Sequence, residues 1–162
     1  MNGLHSNILD LMDLYVFGYG SLMNPESLAR TLPREHSFSP AFLPGYKRRM
    51  NHRFGEHLYL NIVPREDSEV DGLVFPIREH ELEVLKSRES GYQCIDISSL
   101  LREPLDRPAV TFIAPDLEHP DLTIKRSYIL RCLGGVNPQR HDEWLAATLI
   151  ENPIYDDTNE CF

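Results

Sequence analysis

The segment Gly18-Tyr19-Gly20-Ser21-Leu22-Met23 has the composition of a turn that could bind an anion. A glycine-containing turn between a strand end and a helix start brings several backbone N–H groups together. Such a turn could hold a carboxylate or stabilise a developing oxyanion. It is not a dinucleotide fingerprint, because Met23 stands where GxGxxG needs glycine, and it lacks the GK[ST] lysine of a phosphate loop. An ordinary strand-to-helix turn is the alternative interpretation.

Glu89 is the second candidate for chemistry because of its position between two predicted elements. It follows a predicted helix over 79–88 and precedes a predicted strand over 92–97. If folding buries this carboxylate, its pKa rises and it becomes a general acid and base near neutral pH. The alternative is one more exposed surface glutamate.

Nucleophilic catalysis is a further possibility, with Ser21 or Cys94 activated by a distant histidine. However, a GxSxG motif would place serine at position 20, where Gly20 stands. Cys94 lies in an alternating strand pattern and is more simply a small core residue. This hypothesis therefore ranks below the others.

The sequence has no pattern typical of a metal site or of a disulfide framework. The seven histidines show neither HExxH nor a comparable ligand spacing. The three cysteines are an odd, widely spaced set without CxxC pairs: Cys94, Cys132 and Cys161. We expect no metal, no cofactor and no disulfide framework.

Short strands and helices must position the candidate residues. The apolar run 14–19 predicts a buried strand, and Asn24 followed by Pro25 predicts the start of a helix over 24–30. A polar turn over 64–68 separates two predicted strands of a hairpin. The other predicted elements are strands over 41–46, 57–63, 70–77, 92–97 and 110–114, and helices over 79–88, 125–133 and 138–150. This order lacks regular βαβ alternation, so it predicts an α+β fold with a small curved or barrel-like sheet.

Composition indicates one soluble globular domain. The chain has 162 residues, of which 41% are hydrophobic and 25% are charged. We expect a single domain over 1–162, with its core at about 14–150 and peripheral residues at 1–13 and 153–162. The amino-terminal residues lack a basic segment, so they do not predict a secretory signal. No apolar run approaches the roughly 20 residues of a membrane span, which favours a cytoplasmic protein.

The net charge of −9, from 16 Lys and Arg against 25 Asp and Glu, disfavours nucleic acid and anionic membranes as partners. The longest basic run is Lys47-Arg48-Arg49. We interpret this triplet as the solvated end of a strand or loop.

The segment Tyr15 to Leu22 resembles the signature that opens the γ-glutamylcyclotransferase-like family. Residues 58–64 and 70–75 resemble that family's hairpin, residues 85–92 resemble the segment with its catalytic glutamate, and 127–129 resemble a tyrosine-bearing stretch near its end. The resemblance covers roughly residues 14–135. It implies a small mixed β-barrel with surrounding short helices.

The resemblance also implies a reaction, the release of 5-oxoproline from a γ-glutamyl amide by an acyltransferase- or lyase-type cyclisation. Glu89 would then be the catalytic general acid and base, although Glu79, Glu81 and Glu83 lie nearby in the sequence. The substrate would be bound by Tyr19, Gly20, Ser21, Leu22 and Tyr128. For both tyrosines, aromatic core packing is the alternative. The partner is a small γ-glutamyl compound, and no cofactor is implied.

Two questions remain open at this stage. The same fold could serve as a non-catalytic module that binds a small ligand or a protein, because an intact motif does not prove turnover. The leaving amine could be that of an amino acid, of the glutathione dipeptide, of lysine or of another metabolite. Oligomeric state is also not readable from the sequence.

Overall fold

The structure is a computed structural model that describes residues 13–159. A six-stranded mixed sheet has the order β4-β5-β1-β3-β2-β7, and β6 pairs separately with β8. The strands are β1 (Leu14–Gly18), β2 (Ser39–Phe54), β3 (His57–Ile77), β4 (Gln93–Asp96), β5 (Ala109–Ile113), β6 (Ile124–Lys125), β7 (Thr148–Leu149) and β8 (Ile154–Tyr155). The helices are α1 (Pro25–Ala29), α2 (Glu79–Arg88), α3 (Arg126–Leu133) and α4 (His141–Ala146), with short 3-10 helices at Ser21–Met23, Pro138–Arg140 and Asp157–Asn159. Of the residues predicted to be peripheral, 1–13 and 153–162, those at 1–12 and 160–162 lie outside the described range, Cys161 among them.

The central strand β1 is antiparallel to β3 and parallel to β5. Its side chains alternate between two buried clusters: Phe17 belongs to the larger one, and Leu14 and Val16 belong to the smaller one. Because both faces of β1 are covered, this strand reads in sequence as a continuous apolar run. Its last residue, Gly18, is buried as well.

The predicted α+β class is confirmed, but the sheet does not close into the barrel that we expected. Its edge strands β4 and β7 have four and two residues, and each pairs with one neighbour. No ladder joins β4 to β7 within residues 13–159. Barrel closure requires every strand to pair on both sides, so the sheet remains open.

The hairpin of β2 and β3 differs from its prediction. One continuous strand runs from His57 to Ile77, and the turn lies at 55–56, before it. The register passes from Tyr46 opposite Pro64 to Pro44 opposite Glu69, so residues 65–68 have no partner in β2. The polar segment that predicted a turn is therefore a bulge within β3.

The basic triplet also differs from its prediction, because it lies within β2 rather than at a solvated end. The Arg48 side chain is only 2% exposed; its Nη1 lies 2.8 Å from Asp71 Oδ1 and its Nε donates to Thr148 Oγ1 at 2.9 Å. Its guanidinium also lies 4.8 Å from the centroid of the Trp144 ring. Burial is possible because these partners satisfy the charge and its N–H groups.

The helices agree with their predictions near the candidate site and less well beyond it. Asn24 caps α1, where its side chain accepts from the N–H groups of Glu26 and Ser27. The helix predicted over 138–150 is wrong in extent, because a 3-10 turn, the short α4 and the strand β7 divide it. Within residues 13–159, no helix is long and apolar enough to cross a membrane.

Candidate active site

The glycine-containing turn begins where β1 ends. Gly18 is the last residue of β1, and the Met23 N–H closes the turn by donating to the Gly20 carbonyl at 3.0 Å. A Cβ at Gly20 would lie 2.8 Å from a methyl group of Leu60, so the backbone here approaches β3 closely. Ser21 and Leu22 open the short helix, and their N–H groups therefore have no acceptor in a preceding turn.

Glu89 follows the last residue of α2, as the sequence predicts. Its N–H donates to the Leu85 carbonyl at 2.8 Å, and its own carbonyl accepts from the Tyr92 N–H at 3.0 Å. Between Glu89 and Tyr92 the chain turns through Gly91, whose φ of 92° suits glycine alone. A Cβ at Gly91 would also lie 3.1 Å from the His52 ring. This turn directs the carboxylate into the molecule.

The Glu89 carboxylate lies in an environment that favours its neutral form. Its side chain is 15% exposed, and burial raises the pKa of this carboxyl above its ordinary value. The Arg88 guanidinium, with Nε 3.5 Å from Glu89 Oε1, opposes the increase in pKa. Glu89 thus has the burial expected of a proton-transfer group.

Arg88 contacts both Glu89 and the glycine-containing turn, and no pattern in the sequence singled it out. Its Nη1 donates to the Ser27 carbonyl and to Thr31 Oγ1, and its Nη2 donates to Ser27 Oγ and Ser21 Oγ, all at 2.9–3.3 Å. Arg88 therefore connects α2 to α1 and to the glycine-containing turn. Its position next to Glu89 was the only signal in the sequence.

One cavity brings all the sequence-predicted site residues together. We call this space the inner pocket. Glu89 lines it from the end of α2, and the glycine-containing turn lines it from the end of β1. Its lining residues are Tyr19, Gly20, Ser21, Leu22, Leu60, Glu89, Tyr92, Thr111, Phe112 and Tyr128. Glu79 and Glu83, the nearby alternatives to Glu89, do not line it, and Glu81 instead pairs with Arg34.

The tyrosine hydroxyls of the inner pocket bind the protein backbone. The Tyr19 hydroxyl donates to the Phe112 carbonyl, and the Tyr128 hydroxyl accepts from the Leu60 N–H at 3.1 Å. Burial raises the pKa of both well above the ordinary value. Tyr19 and Tyr128 therefore pack as core residues whose edges also line the pocket.

Tyr92 is a second residue that sequence reasoning missed. Its hydroxyl donates to the Leu60 carbonyl at 2.6 Å, and its ring packs against His52 with centroids 4.0 Å apart. In the sequence, Tyr92 is only the first residue of the predicted strand over 92–97 and the last residue of the segment 85–92 that resembles the family's glutamate-bearing segment.

A second and larger pocket, which we call the outer pocket, adjoins the inner one. The two pockets share Ser21, Glu89, Tyr92 and Tyr128. The residues that line only the outer pocket are His52, Phe54, Tyr59, Arg88, Ser90 and Arg131. Glu89 therefore contributes to the walls of both pockets.

Cys94 and Cys132, the two cysteines within the described residues, lie in apolar surroundings. Burial raises the pKa of the Cys94 thiol, and it raises the pKa of the Cys132 thiol to about 12. Neither residue lines the inner or the outer pocket. Within the described part of the chain, no cluster of three metal-ligating side chains occurs.

Several solved structures are similar to this one, two of them over nearly their whole length. An uncharacterized protein from Homo sapiens aligns with a TM-score of 0.69 and 16% identity, covering 92% of this chain and 97% of that chain. A gamma-glutamyl cyclotransferase aligns with a TM-score of 0.68 and 15% identity, covering 91% and 96%. A protein from Arabidopsis thaliana has 29% identity and a TM-score of 0.55, covering 69% and 75%. The first two likenesses, at such low identity, show the fold.

The sequence itself identifies the family. No curated protein matches the chain significantly. The sequence model of the family described as "Gamma-glutamyl cyclotransferase, AIG2-like" matches residues 16–128, a range that contains both the glycine-containing turn and Glu89. The chain therefore belongs to the AIG2-like gamma-glutamyl cyclotransferase family.

Proposed function

We propose that the protein is an enzyme that cyclises a γ-glutamyl amide, releasing 5-oxoproline and a free amine. The observation that carries this proposal is that the largely buried carboxylate of Glu89 and the glycine-containing turn line one pocket. Family membership supports the same reaction class.

The reaction needs no nucleophile from the protein, since the substrate carries its own. The α-amino nitrogen attacks the γ-carbonyl carbon, a C–N bond closes the five-membered ring, and the amide bond to the leaving amine breaks. Because the attack is intramolecular, holding the substrate in its folded conformation lowers the barrier by several kcal/mol. The inner pocket, lined by Leu22, Leu60 and Phe112, suits a compact folded substrate.

Glu89 moves the protons. Of the three protons on the α-ammonium group, one remains on the ring nitrogen and two leave with the amine. Glu89 takes the first of these two protons from the ammonium group, which frees the attacking lone pair, and gives it to the departing nitrogen. After the attack the ring nitrogen gives up the second proton, which reaches the amine through the same carboxyl. Burial raises the pKa of Glu89, so the carboxyl both accepts and returns a proton more readily near neutral pH than an exposed glutamate would.

The glycine-containing turn binds the developing negative charge. The N–H groups of Ser21 and Leu22 point out of the first turn of a helix and have no acceptor there. They are suited to stabilise the oxyanion of the tetrahedral intermediate or to hold the substrate carboxylate. Tyr19 and Tyr128 contribute the pocket wall.

The test is mass-spectrometric detection of 5-oxoproline after incubation with a panel of γ-glutamyl amides. The proposal expects product from the wild-type protein and a decrease in rate of about 10²- to 10⁴-fold in Glu89→Gln. The matched control is Glu83→Gln, on the same helix with a side chain that is 73% exposed, and it should retain the wild-type rate.

Two results would overturn the proposal. An unchanged rate in Glu89→Gln would remove Glu89 from the chemistry. Binding of γ-glutamyl compounds without product from any of them would instead favour the non-catalytic module.

A further inference from the structure

Because Glu89 lines both pockets, a substrate that reaches this carboxylate has room for one half in each pocket. If the proposed reaction occurs, the amide that breaks must lie beside Glu89. The inner pocket is the smaller and has the N–H groups that suit the glutamyl half. The leaving half must then extend into the outer pocket, and the residues that line this pocket determine which leaving amines can bind. This step rests on the proposed function.

The outer pocket has an aromatic wall. The rings of Tyr59 and Tyr128 meet edge to face with centroids 4.8 Å apart, and Phe54 meets Tyr59 in the same way at 6.3 Å. Phe54 is 64% exposed. An apolar group in the outer pocket would cover part of this wall and remove it from water.

The charges that face the outer pocket are mostly positive. Arg88 and Arg131 line it, Glu89 is its only carboxylate among the described residues, and burial lowers the pKa of His52 and favours its neutral form. Arg88 is already bound to α1 and to Ser21. The Arg131 side chain is exposed and has no carboxylate partner in residues 13–159, in a protein whose net charge is −9.

Arg131 is held in a fixed place by its own backbone. It lies in the last turn of α3, and its carbonyl accepts from the Asn24 side chain at 2.9 Å. Asn24 is also the cap of α1, which follows the glycine-containing turn. The backbone of Arg131 is therefore fixed relative to Glu89 and the glycine-containing turn, and its guanidinium, unpaired within residues 13–159, extends from that position.

We infer that Arg131 is a specificity-determining residue that binds a carboxylate on the leaving half. The substrate class is then a γ-glutamyl α-amino acid with an apolar side chain that packs against Phe54 and Tyr59. An arginine binds a carboxylate through two parallel N–H···O bonds, which discriminates strongly against a leaving amine that lacks the carboxylate.

A matched pair of substrates tests the role of Arg131. γ-Glutamyl-phenylalanine and γ-glutamyl-phenethylamide differ only in the carboxylate of the leaving half. The ratio of their kcat/KM values, measured by 5-oxoproline release, should favour the acid in the wild type and fall at least about tenfold in Arg131→Gln. Arg126→Gln, on the same helix but outside the outer pocket, is the control and should keep the wild-type ratio.

A second comparison tests the aromatic wall. The preference for γ-glutamyl-phenylalanine over γ-glutamyl-glycine should decrease in Phe54→Ala. Phe54 is exposed, so this variant should fold normally.

The outcomes separate the inference from the proposed function. Turnover of both members of the pair with a ratio that Arg131→Gln leaves unchanged overturns the inference and leaves the reaction standing. Turnover of other γ-glutamyl amides but of neither member of the pair has the same meaning. Absence of 5-oxoproline from every substrate overturns both.

Discussion

Tyr92 and Tyr128 both bind the backbone of one residue, Leu60. The Tyr92 hydroxyl donates to the Leu60 carbonyl at 2.6 Å, and the Leu60 N–H donates to the Tyr128 hydroxyl at 3.1 Å. Leu60 lies in β3, whereas Tyr92 follows α2 and Tyr128 lies in α3. Three distant parts of the chain therefore meet in the lining of the inner pocket.

Replacing either hydroxyl should lower stability. Tyr92→Phe leaves the Leu60 carbonyl without this donor, and Tyr128→Phe leaves the Leu60 N–H without its acceptor. Each should lower the free energy of unfolding by about 1–3 kcal/mol, since an unsatisfied buried polar group loses its solvation. Urea unfolding measures this effect. Tyr46→Phe is the control, because the Tyr46 hydroxyl makes no hydrogen bond in the described residues, and a loss as large as in the other two variants would contradict the argument.

The pH dependence of catalysis should report Glu89. Its carboxyl must be ionised to accept the ammonium proton, so kcat/KM should fall as the pH decreases through the pKa of this group. Burial raises this pKa, and Arg88 only partly offsets it, so the acidic limb should lie above the ordinary value of 4.5. A pH–rate profile of the wild-type protein measures the limb. A limb at or below 4.5 would mean that Glu89 is not the group that titrates.

The turn after Glu89 should be sensitive to a single methyl group. Gly91→Ala places a side chain at a φ of 92° and within 3.1 Å of the His52 ring, which should both destabilise the protein by at least about 1–2 kcal/mol and displace Glu89. Gly45→Ala is the matched control, since Gly45 also has a positive φ (85°) but has open space around it. Both variants should lose stability in thermal unfolding. Only Gly91→Ala should lose turnover measured well below its unfolding temperature, and equal losses of activity would contradict this role of the turn.

The start of α2 should depend on pH through Glu81. Burial alone would raise the pKa of this carboxyl, but hydrogen bonds from the Arg34 guanidinium and the Arg78 N–H lower it to about 2. A carboxyl with a lowered pKa in the folded state stabilises the protein above its unfolded pKa of about 4.5 and loses this effect as the pH falls towards 2. Glu81→Gln should therefore cost about 1–2 kcal/mol at pH 7 and progressively less below pH 4.5.

Chemical unfolding at several pH values measures this difference. Glu79→Gln is the control, because Glu79 lies on the same first turn but is exposed. A cost for Glu81→Gln that stays constant from pH 7 to pH 3 would contradict the linkage.

The local pattern of the sequence predicts the elements that carry the site. The β1 strand, the Asn24 cap and α2 are all specified by neighbouring residues, and the position of Glu89 follows from them. Ser21 and Glu89 lie 68 positions apart in the sequence, so no local pattern could predict that they share a site. The resemblance to the family predicts it instead.

Long-range pairing accounts for what the sequence could not predict. The charges of Lys47-Arg48-Arg49 predict a solvent-exposed segment. In the structure, however, two residues from distant parts of the chain bind Arg48: Asp71 neutralises its charge, and Thr148 accepts a hydrogen bond from its guanidinium. Residues 65–68 have the composition of a turn, but the pairing of β2 with β3 on both sides keeps them within one strand. Likewise Arg88 and Tyr92 are ordinary residues locally, and their partners become visible only in the folded structure.

The hydrogen bonds of Arg88 have a consequence for how a substrate would enter. The Arg88 guanidinium hydrogen-bonds the end of α2 to α1 and to Ser21. The segment with Glu89 and the turn with the N–H groups are therefore held together without a ligand. The inner pocket is therefore preorganised, and little conformational entropy is lost at these residues on binding.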